Sequence, residues 1–109
     1  MDARAKPLAL DLMLLSVLEG SERYGLEMID QVNARTGGAF DFREGSLYPA
    51  LHRLVKQGWV ETRWRDSSCG GAPRKYYSLT PAGERALAAK KNEWGLLRSA
   101  MDRLLEGAP

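Results

Sequence analysis

Gly45-Ser46-Leu47-Tyr48-Pro49-Ala50-Leu51-His52-Arg53-Leu54-Val55-Lys56-Gln57-Gly58, followed directly by Trp59-Val60-Glu61-Thr62-Arg63-Trp64-Arg65, is the stretch on which the fold turns. Ser46 is a good N-cap, and Pro49 falls in the first turn, where a missing N–H costs little. Leu47, Leu51, Leu54 and Val55 supply a buried face at helical spacing, so a helix is predicted that Gly58 ends. Past Gly58 the pattern switches to alternation. Residues 59–65 read as a strand, Ser67 to Pro73 are small or turn-forming, and Lys75-Tyr76-Tyr77-Ser78-Leu79 alternate again. The stretch predicts a helix feeding a two-stranded hairpin with a loose tip.

Upstream, Pro7 suits a first helical position, and Leu10, Met13, Leu14, Val17 and Leu18 recur on one helical face. Gly20 can end that helix in the left-handed conformation and Ser21 can cap the next. A second amphipathic stripe runs through Tyr24, Leu26, Met28, Ile29 and Val32 and stops at Thr36-Gly37-Gly38. Downstream, Thr80-Pro81-Ala82-Gly83-Glu84 has a cap, a proline at the first helical position and an acid in the first turn. A fourth helix is predicted from there to about Glu106, about 36 Å long at 1.5 Å per residue. It is too long to lie wholly on so small a body.

The order is helix, helix, helix, hairpin, long helix. Three short helices followed by a hairpin is the order of the winged helix-turn-helix, in which the third helix enters the major groove and the hairpin flanks it. The expected class is mainly α with a small β-hairpin (α+β). Residues 1–80 would form the DNA-binding domain and residues 81–109 a dimerisation helix.

Length and composition agree. At 109 residues the chain has room for one core, and 44% apolar with 28% charged residues is ordinary globular usage. No run approaches a membrane span, and no cleavage site follows the short apolar stretch Leu8 to Leu18. The single cysteine, Cys69, excludes an intrachain disulfide and a multi-cysteine metal site, so a reducing cytoplasm is expected, with no metal or cofactor. One histidine and one cysteine far apart, with no phosphate-binding glycine loop, argue against an enzyme.

The net charge of +2 hides an uneven distribution. From Arg43 to Tyr77 seven basic residues face three acidic ones, leaving the rest of the chain mildly acidic. That is the footprint a polyanion requires. On the third helix Ser46, Tyr48, Pro49, His52, Arg53 and Lys56 point outward. Ser46 and the helix N-terminus suit a phosphate, Tyr48 a phosphate, sugar or thymine methyl, His52 a base edge, and Arg53 and Lys56 add charge. Arg63, Arg65, Arg74 and Lys75 bracket the hairpin tip, a basic wing suited to the minor groove or flanking phosphates. A merely solvated helix face and hairpin would use the same residue types. A winged-helix module that binds an acidic protein or senses a ligand, with no DNA target, is the competing expectation.

On the last helix Leu87, Trp94 and Met101 fall seven apart, and Leu97 and Leu104 repeat between them. Such a seam needs a partner, and a second copy is the simplest one; folding back on the first helix would also cover it.

The chain resembles the short type of PadR-like transcriptional regulator. The resemblance rests on Tyr24-Gly25-Leu26-Glu27-Met28, on Gly45 to Leu54, on Gly58-Trp59-Val60, and on Arg74-Lys75-Tyr76-Tyr77-Ser78-Leu79-Thr80-Pro81-Ala82-Gly83. It implies a homodimer held by the C-terminal helix, a palindromic operator, and repression relieved by a ligand in many members. It further implies that Tyr24, Ser46, Tyr48, Arg74 and Lys75 lie at the DNA. A tryptophan on the last helix can line a flat apolar ligand pocket in this type, and Trp94 sits where it would be, so a small planar apolar effector is a further expectation.

Overall fold

The computed structural model describes residues 5–66 and 70–107. The elements run α1 (Ala5–Val17), β1 (Arg23–Tyr24), α2 (Gly25–Arg35), α3 (Glu44–Lys56), β2 (Val60–Arg65), β3 (Arg74–Leu79) and α4 (Pro81–Leu105). The α+β class and the winged-helix order are therefore those expected, with one addition: β1 joins the hairpin to make an antiparallel sheet in the order β1-β3-β2. Tyr24 pairs with Tyr76 across β1 and β3, and Trp64 with Lys75 across β2 and β3. Cys69 and the middle of the hairpin tip lie outside the described residues.

Two predicted helix starts are corrected. The second helix begins after Tyr24 rather than at a Ser21 cap, because residues 23 and 24 are taken into the sheet, and the Glu27 carboxylate accepts the Tyr24 backbone N–H at 3.1 Å. The third begins after Arg43, with Glu44 and Gly45 already helical, so Ser46 stands at the third helical position and is not the cap. An acid at Glu44 complements the helix dipole in that first turn, which favours the earlier start.

One apolar cluster holds the helices to the sheet. Leu14, Leu15 and Leu18 at α1 and its exit meet Met28 and Val32 of α2, Leu47, Leu51 and Leu54 of α3, Val60 and Tyr77 of the sheet, and Leu87 of α4. Burying each large aliphatic side chain contributes on the order of 2 kcal/mol, so these leucines carry most of the packing energy. The link between α2 and α3 is fixed by Asn33, whose amide donates to the Phe42 carbonyl at 3.2 Å and accepts the Phe42 N–H at 2.9 Å. Phe42 is thereby turned into the core, while its neighbour Phe40 stays outside.

The wing and α4 meet at a tight junction. The Thr80 hydroxyl caps α4 by accepting the Gly83 N–H at 3.0 Å, and donates to the Gly58 carbonyl at 2.6 Å. Gly83 lies against the Trp59 carbonyl with no room for a side chain. Further along, Lys90 lies 5.2 Å over the Trp59 ring and Lys91 pairs with Glu19 at 2.9 Å. Beyond Lys91 every described residue of α4 is exposed, so the helix projects as an arm from a molecule 61 Å long and 28 by 24 Å across.

Candidate nucleic-acid interface

The α3 helix presents three sides. Leu47, Ala50, Leu51 and Leu54 face the core. At 100° per residue the opposite crest carries Gly45, Pro49, His52 and Lys56, all exposed. One flank, with Tyr48 and Val55, turns to the wing, and the other, with Ser46 and Arg53, turns to α1. Ser46 is half-buried beside Leu10, Met13 and Phe42. Arg53 is committed to an ion pair with Asp11 of α1. Val55, expected in the core, is exposed, because the sheet leaves the wing-side flank open there.

Between α3 and the wing lies an open cleft of about 370 Å³, walled by Tyr24, Leu26, Tyr48 and Trp64 and rimmed by Arg74 and Lys75. A smaller one of about 220 Å³ continues along α3 past His52 and Val55. Six of the nine residues expected at the DNA, Tyr24, Tyr48, His52, Arg74, Lys75 and the neighbouring Pro49, thus share one face; Lys56 lies further down the same crest, and Ser46 and Arg53 stand on its α1 side.

Aromatic rings seat the basic groups of this face. The Arg74 guanidinium carbon is 4.5 Å from the centre of the Tyr24 ring, and that ring stands edge-on to Tyr76 with centroids 5.5 Å apart. Lys75 Nζ is 5.9 Å from the Tyr77 ring. Each such contact is worth about 0.5–1 kcal/mol at an exposed site, enough to bias the cation's position while leaving its charge open to an anion. The Tyr77 phenol is pushed above its ordinary range by burial, with Tyr48 adding to the effect, so it stays protonated.

The other two arginines of the wing are differently placed. Arg63 and Arg65 both reach Glu22, at 3.0 and 2.7 Å, and Arg65 also lies 4.5 Å over Tyr76. Desolvation acts to raise the Glu22 pKa, but the hydrogen bonds from Arg65 and Arg63 and their charges outweigh it and hold the carboxyl below 4.5. The wing therefore has a paired edge, Arg63 and Arg65, and an open edge, Arg74 and Lys75. Alternation places Arg63, Arg65 and Arg74 on one sheet face and Trp64 and Lys75 on the other, and Arg74 stands apart from the Glu22 clamp because it lies over the Tyr24 ring.

Two residues of the face were not singled out from the sequence. Trp64 is 66% exposed and Leu26 51% exposed, and both wall the larger cleft. Alternation gives Trp64 a sheet face but does not say which face meets α3. Leu26, expected in the buried stripe of the second helix, lies about 200° around the helix from Met28 and so faces outward.

On α4 the expected seam divides. Leu87 is 1% exposed and belongs to the protomer's own core, so its assignment to dimerisation is corrected: the first turns of α4 are needed to close the core against Trp59 and α1. Trp94, Leu97, Met101 and Leu104 are exposed, as is Leu105. They form an apolar stripe on the projecting arm.

Residues 14–89 match the model of the transcriptional regulator PadR-like family. An uncharacterised protein of Lysinibacillus sphaericus is 34% identical over 98 residues, which cover 90% of this chain and 89% of that one. Among solved structures, a PadR family transcription regulator of Clostridium difficile is similar at 35% identity and a TM-score of 0.78, over 88% of this chain and 97% of that one. A PadR-like transcriptional regulator of Bacillus cereus is similar at 34% identity and a TM-score of 0.76, over 88% and 90% of the two chains. With the family model matched over most of its length and the same fold in these relatives, the chain belongs to the PadR-like family of DNA-binding transcriptional regulators.

Proposed function

We propose that this regulator is a cytoplasmic repressor that binds a palindromic operator as a homodimer. The observation that carries the reading is the shared face of α3 and the open edge of the wing, where Tyr48, His52, Arg74 and Lys75 line two adjoining clefts. In this reading α3 enters the major groove, with the crest from Pro49 to Lys56 against the bases and Tyr48 against sugar or a thymine methyl. Arg74 and Lys75 lie on the flanking phosphates, supported by Tyr24, and Ser46 stands at the edge of the contact toward α1.

Dimerisation through α4 is the second part of the reading. The exposed stripe of Trp94, Leu97, Met101 and Leu104 is an apolar surface that water disfavours and a second α4 would cover. Residues 81–109 then serve dimerisation, except that the turn around Leu87 also belongs to the DNA-binding body of residues 1–80. Two copies bring two α3 helices to successive grooves, which is why a palindrome is expected. A small planar apolar effector would bind where the two Trp94 rings approach and would release the DNA by changing the spacing of the α3 helices.

The test is selection of bound fragments from genomic DNA by the purified protein at moderate salt. Enrichment of a palindromic motif is expected. A folded dimer that enriches no motif would overturn the reading in favour of a protein-binding or ligand-sensing module.

A further inference from the structure

Asp11 is the one charged residue buried among the described residues, and it is 8% exposed. It sits on α1 among leucines. An unpaired carboxylate there would cost several kcal/mol, so it calls for a partner. That partner comes from 42 residues further on: the Arg53 guanidinium, on the α1 flank of α3, donates to the Asp11 carboxylate. The Asp11 side chain is 11% exposed and that of Arg53 40%.

Among the described residues no other hydrogen bond or ion pair joins α1 to α3, and their core contacts are apolar. Such contacts hold the helices together but are non-directional. A charge-assisted hydrogen bond has direction. With side chains, a helix has a radius of about 5–6 Å, so a rotation of α3 by about 20° about its own axis moves its crest by about 2 Å. That is the difference between a hydrogen bond and none at His52 on the crest or Tyr48 on the flank. The Arg53 Nη2 that Asp11 holds is not available to a phosphate, and drawing it away would leave Asp11 buried and unpaired, a larger loss than an exposed phosphate contact returns.

We propose that Arg53 is a positioning residue for DNA recognition, acting through Asp11 to fix the rotation of α3 rather than by touching the phosphate backbone. The inference rests on the reading of α3 as the helix in the groove. It makes Asp11, on a helix remote from the crest, a determinant of sequence selectivity.

The test uses full-length protein, a duplex recovered by selection from a random-sequence pool, and a scrambled duplex of the same composition. Affinities for both are measured over a range of salt for the natural protein, Asp11→Asn, Arg53→Gln and the double variant, with melting temperatures alongside. The expected result is that each single variant loses about tenfold in the ratio of selected to scrambled binding, the double variant loses no more than either, and the salt slope of Arg53→Gln is unchanged. Asp11→Asn leaves the surface of α3 chemically intact, so its loss of selectivity has no source but the pair. A salt slope reduced by about one in Arg53→Gln, with both duplexes weakened equally and Asp11→Asn neutral, would make Arg53 a phosphate contact and overturn the proposal. Selectivity kept in all variants while only the melting temperature falls would overturn it too, leaving the pair a stability element. Absence of selective binding by the natural protein would instead remove the reading of α3 on which it stands.

Discussion

Gly25 at the start of α2 lies against the Tyr48 hydroxyl of α3, so that a Cβ at position 25 would be 2.5 Å from the phenolic oxygen. The two residues come from different helices, and the absence of a side chain on one sets the position of the other. Tyr48 is 46% exposed, so its ring can swing outward. Gly25→Ala should therefore displace the Tyr48 side chain with little cost to the fold: the gain of a better helix former, up to about 1 kcal/mol, offsets part of the crowding against Leu47. Binding to the selected duplex should weaken about tenfold, close to the effect of Tyr48→Ala, while the melting temperature moves by only a few degrees. Titration by fluorescence anisotropy checks this. Unchanged affinity would mean that the Tyr48 hydroxyl takes no part.

Gly83 behaves oppositely because its neighbour is backbone. Any Cβ there overlaps the Trp59 carbonyl, and the wing base and α4 would have to part. Gly83→Ala should destabilise the protein by at least about 3 kcal/mol, as overpacking against an immovable group does. Gly95 on the same helix has open space around it, and Gly95→Ala should stabilise by about 0.5–1 kcal/mol through helix propensity. Thermal melts of the two variants make the comparison.

The two edges of the wing give a third expectation. Replacing Arg74 and Lys75 together with Ala should weaken binding to every duplex and reduce the salt slope by about two, since two cations leave the interface. Glu22→Gln should do the reverse. It loosens Arg63 and Arg65 from their partner, so binding to scrambled DNA should strengthen and the salt slope steepen. The pH dependence has a definite sign. The Glu22 carboxyl is held below 4.5, so the clamp is fully present above that value and is lost as the pH falls through the lowered pKa. Between pH 6 and 8 the effect of Glu22→Gln should accordingly be constant. Salt titrations at those two pH values test it, and an unchanged slope in Glu22→Gln would show that the clamp does not compete with DNA.

What the sequence made legible, and what it did not, follows from the range of the interactions. Gly58 and Pro81 act within a turn of the chain, so the end of α3, the wing and the start of α4 could be read within a few residues, whereas Pro49, expected in the first turn, lies inside α3, which begins five residues earlier. Tyr48, His52, Arg74 and Lys75 could be expected at the surface because outward polar residues on a patterned helix and a basic hairpin are local signals. The strand at Arg23 and Tyr24 is only two residues long and exists through its pairing with β3, more than fifty residues away in sequence, and carries no period of its own. Its presence moved the start of α2. Arg53 looked like any exposed cation until the fold brought Asp11 beside it, and Leu87 looked like the first residue of an interhelical seam until α4 proved to start inside the core.

That division of α4 leads to the last prediction. Leu87 and Leu97 sit at comparable places in the apolar repeat, but one is enclosed by its own chain and the other is exposed. Leu87→Ala should cost about 2–5 kcal/mol of folding stability, the range for truncating a buried leucine. Leu97→Glu, alone or with Met101→Glu, should leave each chain folded, with the same helical content by circular dichroism, but should turn the dimer into a monomer by sedimentation. Binding to a palindromic duplex should then fall to that of its half-site, because one α3 helix remains per molecule. Trp94 separates interface packing from effector binding on the same arm. Trp94→Phe retains an aromatic ring and should stay dimeric, so a planar apolar compound that quenches tryptophan emission in the natural protein but not in Trp94→Phe must lie against that ring. A variant Leu97→Glu that remains dimeric would place the contact between copies elsewhere on the molecule, and the two α3 helices could no longer be assumed to lie one helical turn of DNA apart.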